Sequence, residues 1–164
     1  MLEKILIATD GSKHSLAAAK LGIELAKLSN ARVTAVHVID IGKMIVPVDE
    51  TEIAVEVELI NAIKNRLYED GRLALQQVED LAKDAGVTIE KKVIEGYPAD
   101  AILKLAEEDS MDIVVIGSIG KTGLEKFLMG SVAEKVAHNS KVPVLIVRGT
   151  GRALSRMEGL SSIL

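Results

Sequence analysis

The chain has 164 residues, enough for one domain with a real core. A hydrophobic content of 48% and a mean hydropathy of +0.27 exclude a disordered chain, while no apolar run approaches the ~18 residues of a membrane span. The absence of cysteine excludes disulfides and thiol chemistry, and 20 basic against 24 acidic residues leave a net charge of −4 that opposes nucleic acid.

Residues 4–9, Lys-Ile-Leu-Ile-Ala-Thr, predict a buried strand that stops at Asp10-Gly11-Ser12. The short apolar run meets an acidic residue too soon for a signal peptide, so the expected location is the cytoplasm. From Ser15 to Leu28 apolar residues recur at helical spacing, with Ser12 or Ser15 able to cap the helix. Arg32–Val38 is rich in β-branched residues and predicts the second strand. Residues 40–51, with Gly42 and Pro47, predict no regular structure and form a candidate flap.

Between Glu52 and Lys83, Val55, Leu59, Ile63 and Leu67 recur in four-residue steps and predict a long amphipathic helix. Gly71 is a candidate kink and Gly86 a stop. Val87–Ile94 alternates like a strand with one better-covered face, and Pro98 suits the first turn of a helix carrying Ile102, Leu103, Leu105 and Ala106. Asp112–Ile116 is continuously apolar after its first residue, the mark of a central strand covered on both faces. A glycine-rich loop follows, then a helix over Ser131–His138 and a last strand over Val142–Val147, which Pro143 places at an edge.

Alternating strands and helices predict an α/β, Rossmann-like domain over residues 1–148 with a tail over 149–164. The expected sheet has five parallel strands in the order 3-2-1-4-5 with helices on both faces. Ligands of such sheets bind beyond the carboxyl ends of strands one and four, where strand order reverses.

Strand four leads into Gly117-Ser118-Ile119-Gly120-Lys121-Thr122-Gly123, and Gly130-Ser131 stands at the start of the last helix. Backbone amides beside glycines and a helix N-terminus together favour a phosphate. Gly120-Lys121-Thr122 is not the end of a P-loop, because Val115 occupies the first glycine position, and Ile119 breaks the dinucleotide pattern. His14, His37 and His138 are dispersed and Ser12 and Ser131 sit in no nucleophile elbow, so no metal site and no catalytic residue are expected.

The spacing Gly117-x2-Gly120-x9-Gly130-Ser131 resembles the ATP-binding signature of universal stress proteins. The likeness extends through Lys4–Ser12, His37–Asp40, Gly96–Ala99 and Val142–Val147, nearly the whole fold. It implies an ATP-binding regulator of the stress response, taking ATP, or AMP or ADP, with Mg or Mn carried by the phosphates. By matching position Gly117, Gly120, Gly130 and Ser131 would hold ribose and phosphates, Asp10 with Ala8 and Thr9 beside it would reach the nucleoside, and Val38 would meet adenine through its backbone. Ile116 and Val132 would line the same pocket.

Two assignments have an ordinary alternative. Asp10 could simply cap the next helix, and Lys121 could face a phosphate or only solvent. A slow ATPase or phosphotransferase is the alternative function, although no positioned base is evident. A phospho-receiver would want an aspartate after strand three, where Glu95-Gly96 stands. The apolar last strand, and the resemblance, imply a homodimer paired through Val142–Val147. The competing expectation is a tail folded over that edge, since Leu154, Met157, Leu160 and Ile163 recur every three residues. Neither nucleic acid nor membrane is an expected partner.

Overall fold

Hydrophobic runs become strands where both sheet faces are covered, and the central pair shows this most clearly. The computed structural model describes residues 2–44, 53–120 and 129–149. In it β1 (Lys4–Ala8), β2 (Arg32–Asp40), β3 (Ile89–Gly96), β4 (Ile113–Gly117) and β5 (Val144–Val147) form one parallel sheet in the order β3-β2-β1-β4-β5. Helices α1 (Lys13–Ser29), α2 (Ile53–Ala85), α3 (Pro98–Glu108) and α4 (Ser131–Asn139) make the crossovers. The expected five-stranded order is the observed one. Ile7 sits in register with Ala35 on one side and Val115 on the other.

Alternation along β1 divides the core in two. Ile5 and Ile7 pack with Ala18, Ala19 and Ile23 of α1 and Leu75 and Val78 of α2. Leu6 and Ala8 pack with Ala99 and Ile102 of α3 and Ala133 and Val136 of α4. Each such large aliphatic side chain contributes about 1.5–3 kcal/mol on burial. Small residues let α1 approach closely, for a Cβ at Gly22 would stand 2.8 Å from Ile7 Cδ1.

Three helices end on a left-handed residue, Asn30 (φ 55°), Gly86 (φ 72°) and Ser110 (φ 52°). The next amide in each case, from Ala31, Val87 and Met111, bonds back to Ala26, Ala82 and Ala106 at 2.8–3.0 Å. This closure explains why β3 begins at Ile89 and not at Val87, whose amide belongs to the helix cap. β5 likewise begins one residue after Pro143, which has no amide to donate but whose carbonyl accepts from Val114 at 2.9 Å.

α2 is assigned as one helix from Ile53 to Ala85, so the candidate kink at Gly71 does not interrupt it. Gly71 is instead a point of close approach, where a Cβ would fall 2.6 Å from His37 Cδ2. Ile41–Met44, expected to be irregular, forms a 3-10 turn. The rest of the candidate flap, residues 45–52, and the tail stripe beyond residue 149 lie outside the described residues.

The starts of β1 and β4 are pinned by Asp112, whose Oδ2 accepts from the amides of Glu3 at 2.7 Å and Lys4 at 2.8 Å. Those two bonds hold its carboxyl below the usual aspartate range. A carboxylate with a depressed folded pKa stabilises the fold above its unfolded pKa and loses that contribution as pH falls through the folded value. Asp112→Ala is therefore expected to lower the melting temperature near neutral pH, with the gap to the parent closing below about pH 4. Melting curves over that range check it, and a gap that stays constant with pH would show that the charge is not what Asp112 contributes.

Candidate functional site

The carboxyl ends of β1 and β4 part because their chains leave in different directions, β1 into α1 and β4 toward α4. A crevice of about 670 Å³ lies over them, within the ~300–1,000 Å³ usual for small-ligand sites. Ala8, Thr9, Asp10, Val38, Ile116, Gly117, Gly120, Gly130, Ser131 and Val132 all line it. The sequence separates these residues by up to 124 positions, and the strand order brings them together. Lys121 lies outside the described residues.

The β1 side is built from short-range hydrogen bonds. Thr9 is buried, its amide on the Val36 carbonyl at 2.9 Å and its Oγ1 3.1 Å from Ser15 Oγ. Asp10 Oδ1 accepts from the Ser12 amide at 3.0 Å, closing a turn over Gly11 (φ 77°). The cap of α1 is Ser12, whose Oγ accepts from the Ser15 amide at 3.3 Å. The capping alternative for Asp10 is thus corrected, because the Ser12 side chain occupies that role. The other oxygen of Asp10 faces the glycine loop, and a Cβ on Gly120 would stand 2.7 Å from Oδ2.

The β4 side is held by close backbone contact. A Cβ on Gly117 would fall 2.7 Å from His14 C and from Ser15 N, so only glycine lets β4 leave the sheet beneath the first turn of α1. Ser118 donates its amide to the Val147 carbonyl at 2.8 Å and accepts from the Gly130 amide at 2.7 Å, drawing the two ends of the loop together. Gly130 is the N-cap of α4 and offers no side-chain bond. The first helical bond runs from the Glu134 amide to the Gly130 carbonyl at 2.9 Å, so the amides of Ser131, Val132 and Ala133 precede the ladder. Gly130's own amide is engaged by Ser118, which leaves that residue a steric role.

Across β1 from this loop, β2 contributes Val38, and α3 adds Pro98 and Ile102, giving the crevice an apolar end. Sequence reasoning missed His37, Asp40, Lys43, Leu67, Asp70 and Glu134, which also line it. His37 Nδ1 donates to the Thr9 carbonyl at 2.9 Å, since a carbonyl can only accept. Gly71 was the available signal for this contact, a small residue inside a helix where backbone and imidazole meet. Among the described residues no group of three or more His, Asp or Glu side chains could hold a metal ion, and no helix is long and apolar enough to cross a membrane.

A doubly wound parallel sheet with a crevice at its carboxyl edge, bordered by a glycine loop and a helix N-terminus, is a Rossmann-like architecture. Residues 1–148 match the model of the universal stress protein family. Universal stress protein MJ0531 of Methanocaldococcus jannaschii is 42% identical over 149 residues, covering 90% of this chain and 83% of that protein. The solved structure of MJ0577 superposes with a TM-score of 0.73 at 34% identity, covering 90% of this chain and 96% of that one. A universal stress protein crystallised in complex with cAMP gives 0.66 at 32%, covering 90% and 98%. The chain belongs to the universal stress protein family.

Proposed function

We propose that the crevice binds an adenine nucleotide, ATP or its shorter forms AMP and ADP, and that the protein acts in the stress response as a regulatory binder. The observation that carries this reading is the first turn of α4, whose three amides ahead of the ladder stand beside the glycine loop and line one crevice with Asp10. The cAMP complex of a relative 32% identical to this chain supports the adenine class.

In this reading Gly117, Gly120, Gly130, Ser131 and Val132 surround the phosphates, and Lys121 follows them. The Asp10 carboxylate accepts from ribose hydroxyls, and the backbone of Val38 meets the base between Ile116, Ala8 and Thr9. Mg or Mn would arrive with the phosphates, since the described side chains form no cage for it. A slow ATPase is the weaker reading, because an in-line attack needs a positioned base and neutralised γ-phosphate charge.

The proposal includes a cytoplasmic homodimer paired through β5, which is one of the two edge strands and only half-buried. Freshly purified protein tests both parts. Denaturation should release adenine nucleotide, and light scattering should give twice the chain mass. Empty protein that also takes up no added ATP would sink the binding reading, and a monomer would sink the dimer.

A further inference from the structure

Two segments remote in sequence, the exits of β4 and β5, converge on His14. Gly149, two residues beyond β5, donates its amide to His14 Nδ1 at 2.8 Å. A backbone N–H can only donate, so Nδ1 carries no hydrogen and accepts. The approach is close, for a Cβ at position 149 would lie 3.1 Å from His14 Cα and 3.2 Å from the Lys13 carbonyl oxygen. The exit of the last strand is therefore laid directly on the first turn of α1.

The same turn touches the glycine loop. Gly117 abuts the backbone of His14, and Ser118, 1% exposed, brings its Oγ to 3.5 Å from the same Nδ1. That distance is long for an O–H donor, so Gly149 holds the lone pair. Ser118 is itself fixed at both backbone ends, its amide on Val147 and its carbonyl on the Gly130 amide. A continuous run of contacts thus leads from Gly130, at the phosphate end of the crevice, through Ser118 to His14 and Gly149.

We infer that His14 is a positioning residue that links occupation of the glycine loop to the path of the chain leaving β5. The inference rests on the nucleotide reading for its ligand, and on the hydrogen bonds above for its route. Nδ1 has one lone pair and two donors facing it. An anion at the first turn of α4 bears on Gly130, whose amide holds the Ser118 carbonyl, and so on the 3.5 Å approach of Ser118 Oγ to Nδ1. Lengthening that weaker contact leaves the lone pair wholly to Gly149, whose bond tightens. Linkage makes the effect reciprocal, so loosening Gly149 weakens the ligand.

The test compares His14→Ala, which removes the acceptor, with His14→Asn, whose Oδ1 takes the place of Nδ1. Hydrogen exchange of the Gly149 amide is followed by NMR with and without ATP, beside ATP affinity by calorimetry. In the parent, ATP should slow Gly149 exchange. In His14→Ala the amide should exchange about five- to tenfold faster without ligand, the factor one net hydrogen bond supplies. It should also cease to respond to ATP, with affinity lowered, and His14→Asn should restore both properties. An alanine variant whose Gly149 responds to ATP like the parent overturns the link, as does a parent that binds ATP without any change at Gly149. A parent that binds no nucleotide removes the binding reading and the link together, which separates the two failures.

Discussion

Gly117→Ala is expected to cost about 2–3 kcal/mol of folding stability, the range of an overpacked core site, and to lower the melting temperature by about 5–10 °C for a chain of this size. The added Cβ would fall 2.7 Å from His14 C and Ser15 N, and both are backbone atoms that no rotamer change can move. Relief requires α1 to lift from the sheet. Yet α1 is seated by Ala18, Ala19 and Ile23 on Ile5, Ile7 and Val115, all at 2% exposure or less, so lifting it opens the larger half of the core. Thermal denaturation measures the loss, and a melting temperature equal to the parent's would mean that α1 does not rest on Gly117.

Gly130→Val separates binding from folding. Gly130 has φ −78° and ψ 155°, an extended conformation that valine adopts without strain. Its Cβ would sit 3.3 Å from the Ser118 carbonyl oxygen and 3.5 Å from Ile119 Cα, tight but not colliding. The two methyl groups beyond it must then occupy space between the glycine loop and the first amides of α4. We expect a folded protein whose ATP affinity falls by more than tenfold, above about 1.4 kcal/mol, because the obstruction stands where phosphates would approach the backbone. Calorimetry on the folded variant decides it. Undiminished affinity would take the phosphate role away from this loop.

Much of the architecture was written in short windows of sequence. The β-branched runs, the helical periodicities between them and the continuous apolar stretch of β4 each depend on adjacent residues, and their alternation leaves a parallel sheet as the economical arrangement. The glycine loop was equally readable, because Gly117, Gly120 and Gly130 belong to one connection between β4 and α4. Gly86 announced its helix end through its missing side chain. Asn30 and Ser110 end helices in the same left-handed way without announcing it, because their side chains pay a modest strain that only the following strand makes worthwhile.

The remaining features were decided by tertiary structure. Asp10 and Ser12 were both able to cap α1 by composition, and only the path of the turn over Gly11 gave the cap to Ser12 and aimed Asp10 at Gly120. Leu67 and Asp70 reach the crevice because α2 packs its Gly71 against His37, a contact between positions 34 apart that no periodicity encodes. His14 and Gly149 are 135 positions apart, and each reads locally as an ordinary helix or strand-end residue. Periodicity and propensity record what a residue does to its own stretch of chain, whereas a hydrogen bond across the fold exists only once the sheet order has placed its two ends together.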